Sequence, residues 1–285
     1  MPVISLIAPR GHLDPALVSS LQGAFGATGG AMWLAPDEAA EFPVAARPGN
    51  LDEAREAMFD QAVDLNFIDD GERRKSLLIA DMDMTMIGQE CIDELAAEAG
   101  VGEEVARITA RAMNGEIDFA EAVAERVGLM KDLPARAIAH VLETRITLAP
   151  GGRTLVKTMK AHGARTALVS GGFVQFAERV GELLGFDDVL ANALLVEDGR
   201  LTGDVKRPVL GQDAKVEALE RLSPDESHAI AIGDGANDLG MIVRAGMGVA
   251  MHAKPVVASA APLRIDHSDL TACLFLQGYS ISEFS

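Results

Sequence analysis

Positive charge is scarce in this chain: 25 Lys and Arg stand against 43 Asp and Glu, a formal net charge of −18 over 285 residues. An acidic excess of that size repels phosphate backbones and anionic bilayers, which argues against nucleic acid and membrane as partners. Cysteine is nearly absent. Cys91 and Cys273 lie far apart and match neither a disulfide framework nor a metal-ligand spacing. Cys91 falls in an apolar pattern and reads as a small buried hydrophobe. Aromatics supply 4% of residues, with one Trp and one Tyr, so Leu, Val, Ala and Met must fill the core, and Trp33 is expected within it. No apolar run approaches the ~18 residues of a membrane span, and the first residues lack a basic segment followed by an apolar stretch. A soluble, cytoplasmic protein is therefore expected.

What is present is organised around Leu77-Leu78-Ile79-Ala80-Asp81-Met82-Asp83-Met84-Thr85. The short apolar run suits a strand buried on both faces. Parallel sheets place ligands just past the carboxyl ends of their strands, where Asp81 would stand. Alternation along an extended path puts Asp81 and Asp83 on one side. Two neighbouring carboxylates repel unless a cation joins them or one keeps its proton. A hard divalent cation would accept them together with phosphate oxygens. Taken alone, the same residues also suit a helix N-cap.

Around this stretch the chain divides into three parts. Residues 1–72 read as a small α+β N-terminal unit: a strand over 3–8, a helix from Pro15 capped by Asp14, strands near 31–34 and 63–68, and a helix over 52–62. The charged run 69–75 reads as a solvated linker. Residues 91–149 are mostly helical in spacing, punctuated by Gly115 and by Asp132-Leu133-Pro134, and suggest an inserted cap. Residues 73–90 and 150–285 alternate strand and helix, which argues for a doubly wound, parallel-sheet α/β core of Rossmann-like type. Asp198-Gly199 marks a hairpin within it.

Two further apolar strands end in comparable turns. One finishes at Ser170-Gly171-Gly172, a hydroxyl with bare backbone amides at a helix start, fit to seat a tetrahedral anion. Another finishes at Gly233-Asp234-Gly235-Ala236-Asn237-Asp238, which adds two carboxylates. Lys215, in the first turn of a helix, opposes the macrodipole unless it meets an anion. Together these groups suit phosphoryl transfer through a carboxylate nucleophile.

In their order, the Asp81–Thr85 stretch, Ser170-Gly171-Gly172, Lys215 and the Gly233–Asp238 turn resemble the haloacid dehalogenase superfamily of phosphohydrolases. Residues Asp81 to Ala96 resemble its phosphoserine phosphatase branch, and the similarity spans roughly residues 74 to 275. The resemblance implies an Mg²⁺-dependent enzyme that releases L-serine and phosphate from O-phospho-L-serine, the last step of serine biosynthesis, through an aspartyl-phosphate. Asp81 would be the nucleophile. Asp83 would protonate the departing seryl oxygen and then deprotonate the attacking water. Mg²⁺ would be held by the Asp81 carboxylate, the Asp83 main-chain carbonyl and Asp234, with Asp238 in support. Ser170, Gly171 and Lys215 would hold the phosphoryl group, with Asn237 close to it. Glu90 would meet the substrate ammonium and Arg126 its carboxylate, while Met113 and Phe119 would close over it. Without the resemblance, Glu90 and Arg126 read as helix-surface charges.

Two departures from that branch stand out: Met84 where it usually has Ser, and Ala122-Val123-Ala124 where it usually has Ser-Leu-Arg. The front unit is only distantly similar to the regulatory-looking extensions of some members; it could bind an amino acid or drive a homodimer. Transfer of the phosphoryl group to another alcohol such as homoserine, or a broader small-molecule phosphatase, would use the same motifs. A ligand-sensing protein on an inactive hydrolase scaffold is the alternative from another class.

Overall fold

The computed structural model describes residues 1–114 and 116–285, so Gly115 lies outside the described residues. The chain opens with β1 (Val3–Ile7), α1 (Pro15–Ala24), β2 (Met32–Ala35), β3 (Ala39–Pro43), α2 (Leu51–Phe59) and β4 (Asp64–Ile68). Asp14 caps α1 by accepting the Ala16 N–H at 2.7 Å, which satisfies one of the helix's orphan donors. The four strands form an antiparallel sheet in the order β2-β3-β1-β4. The strand β3 was not expected, because Glu41 and Pro43 interrupt its apolar pattern. Trp33 is also placed differently from expectation. It is 36% exposed, since β2 is an edge strand whose register shifts between Trp33 and Ala35.

The next elements are β5 (Leu77–Ala80) and four helices, α3 (Cys91–Ala99), α4 (Gly102–Met113), α5 (Phe119–Gly128) and α6 (Arg136–Thr144). They are followed by α7 (Gly152–Ala161), β6 (Arg165–Phe173), α8 (Val174–Leu184), β7 (Asp188–Asn192), β8 (Leu194–Glu197), β9 (Arg200–Val205) and α9 (Gln212–Leu222). The chain then runs through β10 (Ala229–Gly233), α10 (Leu239–Arg244), β11 (Met247–Met251), α11 (Pro255–Ala260), β12 (Leu263–Ile265) and α12 (Ala272–Leu276). Six strands make a parallel sheet ordered β12-β11-β10-β5-β6-β7. All four residues of β5 are buried, as its unbroken apolar run demands, because helices cover both faces of such a sheet. β5 lies in the interior, with β10 on one side and β6 on the other. The strands that lead to Asp81 and Asp234 and the one that carries Ser170 are thus immediate neighbours.

Helices α3 to α6 are inserted between β5 and α7. The hairpin β8–β9 braces them: Asp132 N–H donates to Leu201 O at 2.9 Å, and Leu201 N–H to Leu133 O at 2.9 Å. Its turn places Asp198 and Gly199 at φ 49° and 74°, the left-handed pair a tight hairpin needs. The segment 69–75 is more than a solvated linker. Arg73 makes a two-pronged ion pair with the buried Glu41, at 2.9 and 2.7 Å, and also donates to Leu276 O at 3.0 Å. The front sheet is further joined to the parallel sheet by Asn66, which exchanges two 2.8 Å hydrogen bonds with the Arg264 backbone. Both cysteines are free and buried; the burial of Cys91 was expected from its apolar pattern. Among the described residues no helix is long and apolar enough to cross a membrane.

Candidate active site

At the carboxyl edge of the parallel sheet lies a cavity of about 240 Å³ whose lining includes Asp81, Asp83, Ser170, Asp234 and Asn237. That is below the range of drug-sized ligand sites, and it suits a substrate of about a dozen heavy atoms. β5 delivers Asp81, and its N–H is pinned to Ile232 O of β10 at 2.9 Å. Asp83 is 8% exposed; its Oδ1 accepts the Cys91 N–H at 2.9 Å and its Oδ2 the Ser170 hydroxyl at 3.3 Å. Burial pushes the Asp83 carboxyl above its ordinary value despite these donors.

Ser170-Gly171-Gly172 is not a helix start, contrary to expectation. β6 runs on through Phe173 before α8 begins. Gly172 donates its N–H to Ser170 Oγ at 2.8 Å. A Cβ at Gly172 would stand 2.6 Å from Asp83 Oδ2, so only glycine allows this approach.

Lys215 is 1% exposed and lies beneath the cavity. Its Nζ is 2.6 Å from Asp81 Oδ1 and 2.5 Å from Asp238 Oδ1. Burial alone would push the ammonium down, but the two carboxylates outweigh this and hold it above its ordinary value. Burial pushes the Asp81 carboxyl up, with Lys215 opposing and Asp238 and Asp83 reinforcing the rise. Asp234 is raised by burial and by Asp238, against Lys254 and Lys215. Asp81, Asp234 and Asp238 are buried and present oxygens within 4.8 Å of one another. Three carboxylates around one ammonium leave an excess of negative charge that suits a divalent cation. Asp238 is already engaged at both oxygens, by Lys215 and by the Gly235 N–H at 3.0 Å. A support role suits it better than direct ligation.

The mouth is built by the inserted helices. Glu90 and Arg126 both line the cavity. Glu90 is exposed as a residue, yet partial burial of its carboxyl and the nearby Asp83, Asp234 and Asp93 raise that group to about 7, with Lys254 opposing. Arg126 is half-buried; its Nε donates to Ala122 O at 3.1 Å and its Nη1 to Thr109 Oγ at 3.4 Å. Phe119 lines the cavity and rests against Gly171 and Gly211, its ring carbons 3.1 and 3.3 Å from where their Cβ atoms would be. Met113 does not line the cavity and is 75% exposed. Met84 has φ 55° and is exposed, so its side chain points away from the buried floor.

One charged lining residue was missed in the sequence. Lys254 follows β11, a fourth strand of the same sheet, and its N–H donates to Asp234 O at 3.1 Å. The signal was available, since the rule that applied to three strand ends applies equally to this one.

A model of the haloacid dehalogenase-like hydrolases matches residues 78–242. The chain belongs to that family. A phosphoserine phosphatase from Archaeoglobus fulgidus is 44% identical over 202 residues, which are 70% of this chain and 58% of the relative. The chain thus spans little more than half of that relative's length. A solved haloacid dehalogenase family hydrolase from Salmonella enterica serovar Typhi superposes with a TM-score of 0.88 at 28% identity, covering 96% of this chain and 97% of the other. A phospho-aspartyl intermediate analogue of phosphoserine phosphatase superposes with a TM-score of 0.65 at 41% identity, covering 71% of this chain and 98% of its own. The first structure accompanies the chain through the front sheet as well, the second through a shorter part of it.

Proposed function

We propose that this haloacid dehalogenase-like hydrolase cleaves O-phospho-L-serine to L-serine and phosphate through a phosphoryl group carried on Asp81. The observation that carries the reading is one small cavity with phosphoryl chemistry at its floor and opposite charges, Glu90 and Arg126, at its mouth. A zwitterionic headgroup needs one anion and one forked cation, and a phosphate needs donors. The similarity to phosphoserine phosphatases over most of the chain supports the same substrate.

In this reading an Asp81 oxygen bonds to phosphorus while the bond from phosphorus to the seryl oxygen breaks. Asp83, in its protonated form, gives its proton to that oxygen as it leaves. Now a carboxylate, Asp83 takes a proton from water, whose oxygen attacks phosphorus and frees Asp81. Ser170, Gly171 and Lys215 hold the phosphoryl oxygens, with Asn237 beside them. When bound, Mg²⁺ among Asp81, the Asp83 main-chain carbonyl and Asp234 would offset the repulsion between nucleophile and substrate. Glu90 and Arg126 orient the amino-acid end, and Phe119 helps to exclude water.

The division into units 1–72, 91–149 and the remaining core belongs to the same proposal. It is supported by a separate apolar cluster in the front unit, including Ile4, Leu6, Val18, Phe42 and Leu65. The direct test is phosphate release with and without Mg²⁺ from L-phosphoserine, D-phosphoserine, phosphothreonine and a sugar phosphate. The reading expects Mg²⁺-dependent release with a clear L-phosphoserine preference. Equal rates on the sugar phosphate would refute the substrate assignment, and phosphohomoserine formed when homoserine is added would replace hydrolysis with transfer.

A further inference from the structure

Asn192 ends β7, far in sequence from every motif, and is 2% exposed. Its amide is fully used. Nδ2 donates to Gly171 O at 2.8 Å and to Leu210 O at 3.1 Å, and Oδ1 accepts the Leu210 N–H at 2.7 Å. The reason for these bonds lies in the sheet. β6 and β7 pair Val169 with Leu190 and next Phe173 with Asn192, four steps along one strand against two along the other. Ser170 to Gly172 therefore bulge out of the ladder, and the bulge loses regular backbone partners. The Asn192 side chain supplies one to the Gly171 carbonyl.

The same amide ties that bulge to Leu210, next to the Gly211 that precedes α9 and hence Lys215. Phe119 of the inserted helices sits on Gly171 and Gly211, the two segments that Asn192 joins. We propose that Asn192 is a positioning residue that fixes the Ser170–Gly172 segment relative to the start of α9, and so sets the seat of the phosphoryl group. The inference rests on the reading of Ser170–Gly172 as that seat.

A purely structural role would lower stability without selectivity between ligands, so the test compares two ligands. Orthophosphate probes the floor and L-serine the mouth, each by calorimetric titration of the Mg²⁺-loaded protein, with thermal unfolding run alongside. Asn192→Ser should weaken orthophosphate about tenfold, the loss of a positioned hydrogen-bonded donor set, and leave L-serine within about twofold. Gln175→Ala is the matched control. Gln175 makes a similar pair of bonds to Leu194, at 2.8 and 3.3 Å, two residues along the chain from Asn192 and without contact to Gly171. It should leave orthophosphate within about twofold. If the serine variant does not fold, Asn192→Asp carries the same test, since it retains the acceptor for Leu210 and loses both donors.

Unchanged orthophosphate affinity in the Asn192 variants, or an equal loss in Gln175→Ala, would overturn the assignment. An unmodified protein that binds no orthophosphate would instead overturn the reading of the seat itself.

Discussion

Asp81, Asp83, Ser170 and Lys215 at the floor are each less than a tenth exposed and held by ion pairs or hydrogen bonds to neighbouring strands. Across the cavity, Glu90 and Phe119 are exposed, and the Arg126 guanidinium donates to a carbonyl of its own helix and to the Thr109 hydroxyl. The floor is held by the parallel sheet; the mouth by an insertion that packs on it. In the proposed reading, the groups that meet the phosphorus atom are thus fixed before substrate arrives, which cuts the cost of ordering them. The groups assigned in that reading to choose among substrates sit on separate elements, which can change without disturbing the chemistry.

That contrast predicts a graded set of effects. Asp81→Asn at the floor should lower kcat by at least about a thousandfold, measured as phosphate release. Asp83→Asn should lower kcat on the order of a hundredfold to a thousandfold, the worth of a general acid and base. It should do so with little change in KM. At the mouth the pattern should invert. Arg126→Lys should raise KM for L-phosphoserine by about tenfold to a hundredfold through the lost fork, while kcat stays within about threefold.

Glu90 sharpens the comparison through pH. Its carboxyl, raised to about 7, is charged above that value and neutral below it, so attraction for the substrate ammonium fades as pH falls through it. KM should rise on the order of fivefold between about pH 8 and about pH 6. Glu90→Gln should flatten that dependence, and an unchanged slope in this variant would remove Glu90 from recognition. The smallest effect is expected at Met84, whose exposed side chain faces neither region. Met84→Ser should change kcat/KM by less than about threefold.

The same contrast explains what could be read in the sequence. Asp81 and Asp234 were legible because an apolar run that stops at a carboxylate is rare and the parallel sheet gives it a meaning. Lys215 was half-legible: its place in a first turn was odd, but only the fold brings it to Asp81 and Asp238. Glu90 and Arg126 have the spacing of ordinary helix-surface charges and needed the family to be noticed. β3 was hidden by Glu41, whose buried carboxylate is matched by Arg73 from the segment after the front sheet. Trp33 misled because size predicts burial only where the strand has neighbours on both sides, and β2 has one. Asn192 carries no local signature, since its significance comes from strands that meet only in the sheet, whereas Lys254 follows an apolar strand end that the same rule could have reached.

The central claim, that Asp81 bonds covalently to phosphorus, is tested most directly by quenching the enzyme in acid during turnover of L-phosphoserine and locating the added phosphoryl mass by peptide sequencing. The account predicts an acyl phosphate on Asp81 that disappears as substrate is exhausted and is missing in Asp81→Asn. Steady phosphate release with that residue unmodified at every quench time, or with the phosphoryl group on another side chain, would contradict it.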